Sequence, residues 1–319
     1  MKRIAVMTAG GDAPGMNAAV RSIVRTGIYN GLEVWGIEKA YLGMIEGLMK
    51  PLSLKDVGGI MQKGGTVLQT TRCEEFITDE GQMLAVENLE KNEIDGVAVI
   101  GGDGSLTGAL DLHNRGIKVI GVPATIDNDL WGTDMSIGVD TALNTIIYCV
   151  DNIKDTASSH ERAFIIEVMG RKSGYLALMA AIATGAEEVY VPEREMNLEA
   201  TAARIQEGHR RGKTHGIIIL AEGAGNAYTI GRQLKNFLGY DVRISILGHI
   251  QRGGSPSAFD RQLGSMMGAE AVRALTDGKS GLMVALSGAS YSLIPIQEAV
   301  ENKKNILEKQ YEIAQILAL

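Results

Sequence analysis

The chain is 319 residues long, enough for about two domains at roughly 150 residues each. With 45% hydrophobic and 22% charged residues it is not a disordered chain, and a net charge of −7 argues against general nucleic-acid binding, which needs a basic face. That charge still leaves room for a local basic pocket that takes an anionic small molecule. Forty glycines without a collagen-like triplet place the excess in turns and in loops where backbone approaches a ligand. Cys73 and Cys149 have neither metal-ligand spacing nor a disulfide framework. The first apolar stretch stops at Gly10-Gly11-Asp12, too early for a secretion signal, and the longest, residues 175–183, falls far short of the roughly 20 that cross a bilayer. A soluble, cytoplasmic protein is expected.

In chain order, short apolar runs predict strands at 3–7, 33–37, 96–100, 118–122, 163–168, 188–191, 216–221, 241–246 and 282–286. Several are nearly continuous in Ile, Val and Ala, as parallel strands buried on both faces are. Helical patterns predict helices at 15–30, 81–92, 105–114, 139–157, 174–184, 198–211, 260–276 and 296–317. The alternation is that of an α/β protein with parallel sheets and right-handed crossovers. A domain boundary is expected near 138–140, where a long helix follows a loop, although no linker composition marks it.

Ligands of open α/β sheets bind beyond the carboxyl ends of strands. After residues 3–7 comes Gly10-Gly11-Asp12-Ala13-Pro14-Gly15, where adjacent glycines can close backbone N–H groups on an anion at a helix N-terminus; a tight capped turn would look the same. After 96–100 comes Gly101-Gly102-Asp103-Gly104-Ser105. Its glycines leave room for a triphosphate, Asp103 is placed to hold Mg²⁺, and Ser105 is expected to cap the next helix. The pattern is neither a Walker loop nor a Rossmann fingerprint. After 118–122 comes Thr125-Ile126-Asp127-Asn128-Asp129, two carboxylates at i and i+2 beside a hydroxyl, suited to a general base with a metal-side partner, or else a solvated acidic turn. Three consecutive strand ends thus present phosphate or Mg²⁺ chemistry. Cations punctuate later segments: Arg72, Arg162, Arg171, Arg243, and the His249/Arg252 pair, with Glu222 among them. Arginine's planar fork suits phosphate oxygens, which implies a second anionic substrate.

Six segments in order, GGDAPGMNA at 11–19, IGGDGS at 100–105, PATIDND at 123–129, EVMGR at 167–171, AEG at 221–223 and GHIQRGGSPSAFDR at 248–261, resemble the bacterial, allosteric type of ATP-dependent 6-phosphofructokinase. The resemblance spans essentially the whole chain. It implies two α/β domains, each a mainly parallel sheet flanked by helices, with the active site in the cleft between them. The ATP-binding domain would be 1–138 plus 251–301 and the fructose 6-phosphate-binding domain 139–250 plus 302–319.

The resemblance also assigns roles. Gly11, Tyr41, Arg72, Cys73 and Gly102, Asp103, Gly104 and Ser105 would bind ATP, with Asp103 on Mg²⁺. Asp127 would take the proton of the sugar's 1-hydroxyl. Thr125, Ile126, Asp127, Met169, Gly170, Arg171, Glu222, Ile250 and Gln251 would bind the substrate sugar, and His249 and Arg252 would reach its 6-phosphate, joined by Arg162 and Arg243 of a neighbouring subunit. Asp129 would support the Mg²⁺ region, and Arg72 and Arg171 would meet charge on the transferred group. A homotetramer is implied. Arg21, Arg25, Lys154, Gly185, Glu187, Arg211, Lys213 and His215 match the effector pocket at which ADP activates and phosphoenolpyruvate inhibits; read without the resemblance, they are a solvated basic face. Position 154 is Lys where close relatives carry Arg, and 54 is Leu where some carry Arg. Pyrophosphate users carry Asp at 104 and Lys at 124, where this chain has Gly and Ala, so ATP is the expected donor. NAD-kinase-like and lipid-kinase-like proteins share GGDG but lack the other runs; a dehydrogenase would need a Rossmann fingerprint; a non-catalytic nucleotide binder would not need Asp103 and Asp127.

Overall fold

The computed structural model describes residues 1–160, 162–305 and 308–318. Glu161, Ile306, Leu307 and Leu319 lie outside the described residues. Strands are β1 (Arg3–Thr8), β2 (Glu33–Ile37), β3 (Met49–Pro51), β4 (Gly96–Gly101), β5 (Val119–Pro123), β6 (Ala163–Val168), β7 (Glu188–Tyr190), β8 (Gly216–Ala221), β9 (Arg243–Ile246), β10 (Leu282–Ser287) and β11 (Ser290–Pro295). Helices are α1 (Met16–Tyr29), α2 (Ala40–Glu46), α3 (Asp79–Lys91), α4 (Asp103–Asn114), α5 (Val139–His160), α6 (Tyr175–Thr184), α7 (Leu198–Arg210), α8 (Ala227–Leu238), α9 (Ala258–Thr276), α10 (Ile296–Glu301) and α11 (Glu308–Leu317).

The chain divides into two compact units, one of 1–125, 130–141 and 252–304, the other of 126–129, 142–251 and 305–319. Unit one holds a seven-stranded sheet in the order β11-β10-β5-β4-β1-β2-β3. Its interior pairings are parallel, and only the edge pairs β2–β3 and β10–β11 are antiparallel. Every residue of β4 and β5 is buried, which is why those runs show no alternation of apolar and polar residues. The order reverses at β1, whose neighbours are β2 and β4, so the loops after β1 and β4 open on a topological switch point. Unit two holds a wholly parallel four-stranded sheet, β7-β8-β6-β9.

All nine expected strands form. β3 and β11 were not anticipated: both are edge strands with exposed positions and carry no continuous apolar run. Helix α2 escapes sequence reading because Lys39 and Ala40 enter it at φ 59° and 55°, a conformation without a side-chain cap signature. Helix α8, absent from the expected helices, carries ordinary signals: Asn226 caps it by accepting from the Thr229 amide, and Ala227, Ile230, Leu234 and Leu238 form a buried stripe. The expected single helix 296–317 is instead α10 and α11. Asn302 is extended at φ −95°, ψ 153°, and Lys303 bridges to Leu130, which ends α10.

Candidate active site

In unit one, the loop after β1 is tied down by hydroxyls. Thr8 Oγ1 donates to the Gln69 carbonyl at 3.0 Å, and Thr70 Oγ1 donates to the Gly10 carbonyl at 2.8 Å. The 66–73 segment is therefore laced to the end of β1, with Arg72 exposed and Cys73 packed against the core. Asn17, fully buried at the start of α1, donates to the Lys63 and Gly65 carbonyls and accepts from the Val67 amide, fixing the same segment from its other side.

Gly102 is extended and caps α4 with backbone alone, and Asp103 occupies the first helical turn. The expected Ser105 cap is thus a misreading: Ser105 lies inside that turn, 5% exposed, and a Cβ on Gly10 would come within 2.8 Å of its Oγ. Gly10, at φ 79°, is the residue that lets the β1 loop close on α4. Asp103 is exposed in the first turn of α4, at the helix end whose free backbone amides suit an anion. A Cβ at Gly104 would meet nothing within 4 Å, so space beside the helix start is open.

Tyr41 is placed underneath this helix. Its ring is 8% exposed and stacks on Phe76 at 4.1 Å, and its hydroxyl donates to the Ser105 carbonyl. Burial, with the charge of Asp111 next, pushes its phenol pKa well up, so it stays a neutral donor. Tyr41 positions α4; Phe76, its stacking partner, had no sequence signal beyond being apolar. Arg252 lies against Gly11, where a Cβ would fall 2.4 Å from its Nη1, and it donates to the Asp12 carbonyl at 3.2 Å. Thr125 abuts Gly102, whose Cβ would come 3.3 Å from that of Thr125.

In unit two, Ile126, Asp127 and Asn128 are each at most 2% exposed, and Asn128 takes φ 49°. The carboxyl ends of β6, β8 and β9 gather the rest. Met169 follows β6, and its amide donates to Oε1 of the fully buried Gln251 at 3.2 Å, while Gln251 Nε2 donates to the Gly248 carbonyl. Gln251 therefore braces the two loops. The Arg171 amide donates to Glu222 Oε1 at 2.8 Å, and Arg171 sits at φ 53° after Gly170 at φ 139°. That turn directs the Arg171 side chain into an exposed position. His249 and Ile250 are exposed beyond β9.

Arg162 and Arg243 are not brought to this end. They precede or begin β6 and β9, whose parallel pairing puts Arg243 opposite Phe164. Both charges help to hold the Asp241 carboxyl below its usual range, after the hydrogen bond from Lys235. A six-residue strand separates them from Arg171, about 20 Å at 3.3 Å per residue. The amino ends of the same sheet also collect the residues matched to an effector pocket. Lys154 Nζ donates to the Thr184 carbonyl next to Gly185, His215 Nδ1 is 2.8 Å from Ser158 Oγ, and Lys213 Nζ is 3.5 Å from Oε1 of buried Glu187. Arg211 is exposed and paired with Glu207, while Arg21 and Arg25 lie one turn apart on α1 in unit one.

The phosphofructokinase family model matches residues 3–275. The chain belongs to the phosphofructokinase family. Similar phosphofructokinases include the ATP-dependent 6-phosphofructokinases of Thermotoga neapolitana, 57% identical over all 319 residues of both chains, and of Shouchella clausii, 50% identical over the same span. Among solved structures, the phosphofructokinase of Saccharomyces cerevisiae matches with a TM-score of 0.89 and 38% identity, covering all of this chain and 48% of the yeast chain. A pyrophosphate-dependent phosphofructokinase from Marinobacter aquaeolei shares the fold at a TM-score of 0.86 with 20% identity, covering all of this chain and 92% of its own. Among the described residues no cluster of three metal-ligating side chains occurs, and no helix is long and apolar enough to cross a membrane.

Proposed function

We propose that the chain transfers the terminal phosphoryl group of ATP to the 1-hydroxyl of fructose 6-phosphate, giving fructose 1,6-bisphosphate and ADP, as a cytoplasmic enzyme of glycolysis. The observation that carries this reading is the end-to-end identity with ATP-dependent 6-phosphofructokinases. The open space beside Gly104 supports ATP over pyrophosphate, since an Asp there would put a carboxylate against the nucleotide's phosphates.

In this reading the ATP-binding domain is 1–138 plus 251–301 and the fructose 6-phosphate-binding domain 139–250 plus 302–319, with Thr125, Asp127 and Arg252 of the first also serving the sugar. Gly11, Arg72, Cys73 and the Gly102 to Ser105 turn contact ATP, and Tyr41 keeps that turn in place. A lone exposed carboxylate fits Mg²⁺, which takes few protein ligands and keeps phosphate oxygens and waters; Asp103 would hold it, with Asp129 nearby in role. When bound, Mg²⁺ neutralises charge on the transferring phosphates. Asp127 accepts the proton of the attacking hydroxyl, and Thr125 and Ile126 line its approach. Met169, Gly170, Arg171 and Glu222 orient the sugar. His249, Ile250, Gln251 and Arg252 serve its 6-phosphate, Gln251 by bracing. Arg72 and Arg171 meet charge as it develops on the in-flight phosphoryl group.

Arg162 and Arg243 reach the sugar phosphate of a neighbouring subunit in a homotetramer; their place at the far end of the sheet from Arg171 supports this. Arg21, Arg25, Lys154, Gly185, Glu187, Arg211, Lys213 and His215 form an effector site for ADP and phosphoenolpyruvate, which act by favouring different quaternary states. A coupled assay with fructose 6-phosphate tests the central claim. Turnover is expected with ATP and Mg²⁺ and lost on chelation; turnover with pyrophosphate but not ATP would overturn it.

A further inference from the structure

The end of the chain runs to the effector cations. Lys213 follows α7 in the turn before β8, and its ammonium has two acceptors: Glu187 Oε1 at 3.5 Å and the backbone carbonyl of Ala318 at 3.2 Å. Glu187 is anchored, since its side chain is 5% exposed and its other oxygen accepts from the Ile217 amide at 2.6 Å. A lysine that faced only this buried carboxylate would close to about 2.7–2.9 Å, the ordinary length of a charge-assisted bond. Its charge would then be spent on Glu187. At 3.5 Å it pairs more loosely than that, and the Ala318 carbonyl is the nearer of its two acceptors. An ammonium has three N–H donors, so two fixed acceptors leave the third to point outward from a side chain that is 34% exposed.

Ala318 is itself held. Helix α11 packs Tyr311 and Ala314 into unit two, and Arg194 lies 4.0 Å over the Tyr311 ring while pairing with Glu308 in the first turn. A cation at the last carbonyls of a helix is favoured by the helix dipole, so both ends of α11 are pinned by side chains of one unit. We infer that the carbonyl at the end of α11 positions Lys213, keeping its charge available to a phosphate-bearing effector instead of collapsing onto Glu187. This rests on the effector reading above and gives the C-terminal helix a role in it.

The test is a chain that ends after Gln315, which keeps Tyr311, Ala314 and the Arg194 clamp. Phosphoenolpyruvate binding is read as the rise in melting temperature without ATP or sugar, and as inhibition at subsaturating fructose 6-phosphate. The half-saturating concentration should rise about tenfold, the worth of one hydrogen bond to a charged group, with kcat within about twofold of wild type. The full-length Tyr311→Ala variant, which loosens α11 and leaves 316–319 intact, should shift binding in the same direction, and it decides the matter if the shortened chain does not fold. Unchanged or tighter binding would overturn the inference, the latter meaning that the carbonyl competes for Lys213. Arg211→Ala/Lys213→Ala is the separate control: if that variant binds as wild type does, or wild type shows no shift, the effector reading itself falls.

Discussion

Asp127 is a nearly buried carboxylate, 2% exposed, in a loop where its neighbour Asn128 is held in the left-handed region. In the proposed mechanism Asp127 is the base, and a base held in place makes general-base catalysis efficient. Asp127→Ser should lower kcat by about 10²–10⁴, the usual worth of a general base, while fructose 6-phosphate still binds; steady-state kinetics beside equilibrium binding of the sugar measures both. Turnover within threefold of wild type would remove Asp127 from the mechanism. Gly104 offers the complementary experiment. Because a side chain there meets nothing in the protein, Gly104→Asp should keep its melting temperature within a few degrees yet lose about 100-fold or more in kcat/KM for ATP, since a carboxylate beside phosphates repels them. An unaltered ATP dependence would show that the triphosphate lies elsewhere.

Among the elements, α5 begins in an unusual way. Its first amides, with the Gly138 amide before them, are satisfied from a distant part of the sequence by Asp260 of α9, which accepts from Gly138 N, Thr141 N and Thr141 Oγ1 at 2.8, 2.8 and 2.6 Å. The carboxylate is fully buried, and that burial raises its pKa against the pull of these donors. Asp260→Ala strands buried donors, at about 1–3 kcal/mol each for unmet groups, so urea denaturation should show a loss of at least 2 kcal/mol. The pH sign follows from the raised folded value. The native state binds more protons than the unfolded state, so the contribution of Asp260 is full below the ordinary 3.8 and declines as pH rises through the folded pKa. The gap between wild type and variant should therefore be widest in acid and narrow towards neutrality. A gap that widens with pH would mean that the three donors outweigh burial.

At the scale of the whole molecule, the sheet of unit two carries charged residues at both of its ends. Its carboxyl ends carry Met169 to Arg171, Glu222 and His249, and its amino ends carry Arg162, Arg243, Glu187 and Lys213. One chain cannot apply both sets of cations to one sugar phosphate across about 20 Å of strand. If both sets serve the sugar phosphate, as proposed, each active site depends on assembly. Mixed oligomers of an Arg243→Ser chain and an Asp127→Ser chain should regain part of the wild-type activity, because some sites receive both intact groups. No regain after subunit exchange has been verified by mass would confine each active site to one chain.

The α/β class and all nine strands with apolar runs were legible in the sequence alone, as were the glycine- and carboxylate-bearing loops proposed as the site. The reason is local: a strand buried on both faces must be apolar throughout, and a loop that approaches phosphate needs glycine and a carboxylate within a few residues. Residues 8–17, 101–105 and 125–129 are contiguous, so their chemistry could be read from neighbours in the chain. Relations between distant residues needed the folded chain: Tyr41 bonds the Ser105 carbonyl, Gln251 accepts from the Met169 amide, Asp260 caps a helix 119 residues away, Arg252 rests on Gly11, and Ala318 meets Lys213. No periodicity encodes such pairs, because each is set by how helices and loops pack onto a sheet, and the edge strands β3 and β11 owe their form to backbone pairing with a neighbour and not to their own side chains.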